Sequence, residues 1–196
     1  KSLIREIVLS RSYAMSSKWD KSNAEVDPEE ASMWRMPKRR LEAEAIRDAI
    51  LMVAGVLDKI PPTGSPVGQL EGPIRGRQFQ RALEQTTSEV EYNRSVYLPV
   101  IRGELPNSLE VFDFPEPTFA KGKRDRTNVA TQALYLMNDE TVLALADKFA
   151  ERVLKEDQRT EDRIRNAFMH AFGRIPTTNE FLACRKFLRD FPKAVA

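Results

Sequence analysis

The densest set of chemically capable side chains is Lys121-Gly122-Lys123-Arg124-Asp125-Arg126-Thr127-Asn128, placed just ahead of a helical pattern. Glycine, four cations and the free amides of a helix start are the parts from which a phosphate, sulfate or carboxylate site is made. The spacing is not that of a nucleotide-binding loop, and no Gly-x-Gly-x-x-Gly occurs. A solvated turn with Arg124 or Asp125 tied into ion pairs is the competing reading. A second set is the carboxylates Glu44, Asp48, Asp113 and Asp125, two of which would suffice as general acid and base if the fold joined them. Glu44 and Asp48 lie four residues apart on one helix face, so their repulsion needs relief by Arg40 or Arg47. The basic run Arg35, Lys38, Arg39, Arg40 beside Trp34 faintly suggests a nucleic-acid patch. Glu42 and Glu44 follow at once, and a pairing role within the fold fits better. The candidate ligand-binding residues are Arg94, Tyr97, Arg102, Asp113, Arg124 and Asp125. They form a site if the fold converges them on one pocket, and a polar framework for the irregular middle if it buries and pairs them.

Other chemistries are thinly provided for. One cysteine, Cys184, and one histidine, His170, supply neither an internal disulfide nor a histidine-based metal cluster. No metal site is expected, and Cys-x-x-Cys-His for covalent haem attachment is absent. Cys184 reads as a small core hydrophobe on a helix. His170 reads as a favourable cation near a helix end. Gly-x-Ser-x-Gly is also missing. The 31 basic and 29 acidic residues leave a net charge of +2, far from that of a dedicated nucleic-acid binder. No apolar run approaches the ~20 residues of a membrane span, so membrane insertion is not expected.

The elements that must position these residues are mostly helices. Of 196 residues, 41% are apolar and 31% charged with mixed signs, enough for a core and unlike a disordered chain. Leu3, Ile4, Ile7 and Val8 recur at helical spacing. Asp27-Pro28-Glu29-Glu30 predicts a helix start leading to Met33 and Trp34. Pro37 opens a further helix to about Asp58, with Leu41, Ala45, Ala49, Met52 and Val56 in one apolar row and Ile46, Ile50, Val53 and Leu57 in another. Eight of the 12 prolines and six of the eight glycines then fall between Pro61 and Gly122, which excludes long helices there. Within that stretch Phe79–Leu83 predicts a helical turn, Ser95–Leu98 a short strand at an edge or an end, and Leu105–Leu109 a short helix start. Helices resume at Thr131–Met137, Asp139–Lys155 and Thr160–Gly173. Thr177-Thr178-Asn179-Glu180 is a capping box for the last. The expected fold is mainly α, a single helical domain over 1–196 with an irregular Pro/Gly-rich segment at 61–130 wrapped over it and at most a small β-element. The chain starts at Lys1 and is helical at once, which reads as a fragment of a longer protein.

Several of these segments, taken together, carry a resemblance. They are Leu3-Ile4-Arg5-Glu6-Ile7-Val8-Leu9-Ser10-Arg11-Ser12-Tyr13, Trp34-Arg35 with Arg39 to Asp48, and Arg94-Ser95-Val96-Tyr97-Leu98-Pro99-Val100. Phe112-Asp113-Phe114-Pro115, Gly122-Lys123-Arg124-Asp125, Thr131 to Asn138 and Phe172-Gly173-Arg174-Ile175-Pro176-Thr177 complete the set. Over essentially its whole length the chain resembles the C-terminal domain of unknown function in large planctomycete-type proteins with a cytochrome-c-like N-terminal domain. The resemblance implies an extracytoplasmic setting (periplasm, cell envelope or secreted), haem elsewhere in the full-length chain, and other domains of the same chain as partners. It assigns no reaction and no catalytic residue. The leading expectation is a non-catalytic interaction or scaffold module. The rivals are a hydrolase of complex or sulfated carbohydrate and a docking surface for the cytochrome-like domain.

Overall fold

The computed structural model describes residues 1–64, 92–101 and 105–195, with side chains up to Phe191. The described residues are mainly α-helical, with eight helices, one 3-10 turn and no strand. By contacts the chain divides into two compact units, 1–41 and 42–196.

In the first unit, α1 (Ser2–Val8) follows the Leu3, Ile4, Ile7, Val8 spacing, and all four side chains are exposed. α2 (Lys21–Val26) begins where Asp20 accepts the Asn23 N–H at 3.0 Å and the Ser22 hydroxyl at 2.6 Å. This cap lies in the stretch that reads as merely polar. The helix expected from Asp27 does not form. The Asp27 carboxylate instead accepts the amides of Ala31 (3.0 Å) and Ser32 (2.8 Å), and its carbonyl takes the Trp34 indole N–H at 3.0 Å. Glu30 and Met33 adopt φ of 58° and 46°. Left-handed backbone at two positions three residues apart closes a turn and stops any helix.

The second unit is organised on α3 (Ala43–Ala54). It is shorter than the expected Pro37–Asp58 at both ends. At its C-terminus Gly55 has φ 79°, the Val56 N–H reaches back to Leu51 O at 3.0 Å and the Gly55 N–H to Met52 O at 3.1 Å. This is a left-handed glycine stop that satisfies the last carbonyls. Leu51 and Ala54 are buried with Leu145, while Ala43 at the other end is buried with Leu109 and Phe112. Part of the irregular middle therefore supplies core side chains.

Ser95–Leu98, expected as a short strand at an edge or an end, instead holds a 3-10 turn over Ser95–Tyr97 packed on α3. The Tyr97 amide bonds Arg94 O at 2.9 Å, so the backbone turns back on itself and offers no ladder. The nearest β-feature is an isolated parallel bridge between Asp58 and Asn93. Phe79–Leu83 lies outside the described residues. α4 (Asn107–Glu110) buries Leu109 completely, and three residues beyond it Asp113, at φ 64°, takes the left-handed position. α5 (Ala130–Asn138) then stops at Asp139, whose carboxylate caps α6 (Glu140–Glu156) by accepting from Thr141 and Val142 amides. α7 (Thr160–Phe172) ends at Gly173, φ 65°. α8 (Thr178–Val195) starts at the expected capping box, with Glu180 accepting the Thr177 N–H at 2.8 Å. α6 packs on α3 and α7, and α7 on α8.

Gly55 is held by more than its dihedral. A Cβ there would lie 3.1 Å from Arg152 Cδ, on the side chain whose Nη1 donates to Met52 O and Val53 O at 3.1 Å each. Gly55→Ala is expected to cost about 1 kcal/mol or more through left-handed strain, read as a lower urea midpoint at unchanged m-value.

Candidate functional site

The polar centre of the second unit is the face of α3 that carries Glu44, Arg47 and Asp48. Asp48 Oδ1 accepts both the backbone N–H (2.7 Å) and the hydroxyl (2.6 Å) of Ser95. Arg94 Nε lies 3.5 Å from Asp48 Oδ2. Arg47 Nη1 donates to Asn93 O (2.9 Å) and Ser95 Oγ (3.2 Å), and the Asn93 amide donates to Ile60 O at 2.9 Å. Ser95 and Asn93 are buried, and in a low-dielectric setting such groups need these partners.

One turn earlier on α3, Glu44 receives Arg124 Nη1 at 2.7 and 2.9 Å, and Glu42 receives the same nitrogen at 3.1 Å. The Arg124 guanidinium also lies 5.4 Å from the Phe114 ring centroid. Partial burial raises the Glu44 pKa, but the Arg124 hydrogen bond and charge outweigh it, and the net shift is downward. The expected repulsion between Glu44 and Asp48 is relieved by different cations: Arg124 on the first, Arg47 and Arg94 on the second.

Behind them, Asp113 accepts the Thr127 N–H at 2.6 Å and its hydroxyl at 2.9 Å. Gln132, buried in α5, donates to Val111 O at 3.0 Å and Thr127 Oγ1 at 3.2 Å, while its carbonyl faces the Val129 N–H at 3.4 Å. Tyr135 meets Phe112 edge-on at 5.7 Å. Burial, then the charge of Asp139, pushes the Tyr135 hydroxyl up to about 12.

The six expected site residues are thus distributed as follows. Arg94 is half-exposed beside Asp48, and Tyr97 is partly buried in the adjoining turn. Arg124 is clamped by Glu42 and Glu44, and Asp113 holds Thr127. Asp125, on the exposed side, is ion-paired with Lys121. Arg102 lies outside the described residues. Among the described residues no group of three His, Cys, Asp or Glu side chains is placed to hold a metal, and no helix is long and apolar enough to cross a membrane. In the basic run, Arg35 pairs with Glu30 and stacks 5.1 Å from the Trp34 ring.

Sequence reasoning passed over Ser95, Asn93 and Gln132, which carry the buried hydrogen bonds. Asn93 and Ser95 flank Arg94 in an irregular stretch, which is their only sequence signal, and Gln132 stands within α5 with none. It also passed over Arg152, which caps α3 from 99 and 100 residues away.

Asp48→Ala strips the acceptor from a buried amide and hydroxyl and should cost about 2–3 kcal/mol. Asp125→Ala should stay within about 0.5 kcal/mol, as exposed pairs do. Urea unfolding of the two variants checks this contrast. Tyr135 adds an alkaline signature. A folded-state pKa above the unfolded value of 10.0 means that its contribution is intact below pH 10 and lost as pH rises towards about 12. A difference ultraviolet titration against Tyr135→Phe should show this late ionisation.

No curated protein matches the chain, and no solved structure does either. A family model described as PSD1, Protein of unknown function (DUF1553), matches residues 1–188. With the match running across both units and the whole polar centre, the chain belongs to that family of unknown function.

Proposed function

We propose that the chain is a non-catalytic interaction module and that its α7–α8 hairpin presents the contact surface. The observation that carries this is the exposure of large apolar side chains there: Phe172 64%, Phe187 59%, Leu188 49% and Phe191 51%. Phe187 and Phe191 stack at 5.0 Å between centroids, so two rings one turn apart form a continuous apolar surface. Contiguous apolar patches of this kind mark contact sites more often than idle surface.

The chemistry of the carboxylates supports the non-catalytic part. Glu44, Asp48, Asp113 and Asp125 each hold a protein cation, amide or hydroxyl. A general acid or base has to exchange its proton with substrate, and these groups serve structure instead. The carbohydrate-hydrolase alternative needs two of them at one cleft, and the separate partners of Asp113 and Asp125 do not favour it.

The partner that fits the family resemblance is another domain of the same full-length polypeptide, in an extracytoplasmic, haem-associated protein. A cytochrome-like domain is one such neighbour, with haem held there rather than on this chain. Hydrogen exchange compares the chain alone with the full-length protein. Amides of 181–191 should be protected at least tenfold more in the full-length protein, and Phe187→Ser/Phe191→Ser should abolish the difference. Equal exchange in both settings would overturn the contact surface. Turnover of polysaccharides or their sulfate esters by the purified chain would overturn the non-catalytic reading.

A further inference from the structure

A groove of about 670 Å³ runs where the end of α3 and residues 56–59 meet α6, and it shares no residue with the α7–α8 face. Its apolar wall includes Met52, Val56 and Leu57. Its charged lining comprises Lys59, Lys148, Lys155 and Arg152, with Glu151 and Glu156. The acids are already matched: Glu151 pairs with Lys155 at 3.7 Å, and Glu156 with Arg152 at 2.9 Å and His170 at 2.6 Å. Lys59 and Lys148 carry no ion pair among the described residues. Lys148 is steadied instead by the Tyr92 ring, 5.6 Å from its ammonium.

The carbonyl ends of α3 would oppose an anion at this place. Arg152 removes much of that opposition, since its guanidinium takes Met52 O and Val53 O. What remains is a groove of ligand size with an apolar wall and two ammonium groups that carry no ion pair among the described residues. The geometry points to a binding site for a small organic anion, an apolar or ring-shaped body bearing a sulfate, sulfonate, phosphate or carboxylate. The body would lie on Met52, Val56 and Leu57 while the anionic group meets Lys59 and Lys148.

The test titrates the whole chain with 4-methylbenzenesulfonate, inorganic sulfate and neutral 4-methylbenzyl alcohol, followed by amide chemical shifts. Saturable binding of the sulfonate is expected, with shifts centred on residues 52–59 and 148–156. Inorganic sulfate and the alcohol should each bind at least fivefold more weakly. Lys59→Met/Lys148→Met should weaken sulfonate binding about tenfold, and Lys186→Met on α8 should leave it unchanged. The proposal is overturned if the alcohol binds as well as the sulfonate, if the double variant keeps full affinity, or if Lys186→Met loses as much. Should the double variant not fold, the wild-type shift map decides: perturbations centred elsewhere overturn the site.

Discussion

Asp48 gripping Ser95 is the constraint on which the second unit rests. A carboxylate on a regular helix accepts the backbone amide and hydroxyl of a residue 47 positions away, and so fixes an irregular segment to α3. Arg47 reinforces the attachment from the next position along the helix, and Asn93 carries it on to Ile60. A proline-rich segment lacks the repeating backbone bonds of a helix or sheet, so its buried polar groups must be satisfied individually. Side chains of α3 do this, and the ordering entropy of the segment is offset by bonds that a low-dielectric setting strengthens.

The same helix works on three sides. Its polar face holds the Ser95 turn and Arg124, its apolar face packs Leu51 and Ala54 against Leu145 of α6, and its last carbonyls are capped by Arg152. Arg152 in turn engages Glu156, which His170 of α7 also contacts. A chain of charged hydrogen bonds therefore links the end of α3 to α7 across α6. The Glu156 carboxyl is held below its usual range by His170 first and Arg152 second.

Further out the pattern reverses. α8 begins well anchored, with Glu180 held by Arg174 and Thr177 and its carboxyl lowered to about 2 by them. Beyond Cys184 its Phe187, Leu188 and Phe191 side chains are exposed. Such exposure is costly in water. This contrast between a tied polar centre and exposed apolar side chains on α8 is the basis of the proposed interaction role.

Much of the helical layout was legible in the residues themselves. The capping box at Thr177, the stop at Gly173 and the break at Asn138 are local signals, because caps and stops act within one or two turns. The buried side chains of α3, by contrast, Ala43, Leu51 and Ala54, lie outside both expected apolar rows, and Met52 of the first row is exposed. Where local signals competed, the reading failed: Asp27 has the residues of a helix start but spends its carboxylate on a turn, and Ser95–Leu98 has strand-like residues but turns back on itself as a 3-10 turn. The candidate site divides the same way. Its residue types were visible in sequence, but whether Arg124 would meet a ligand or Glu44, 80 positions away, is decided only by folding. The groove at Lys59 and Lys148 and the bare face of α8 belong wholly to tertiary structure. Sequence spacing sets which side of a helix is apolar, whereas exposure and charge pairing depend on what the rest of the chain brings against it.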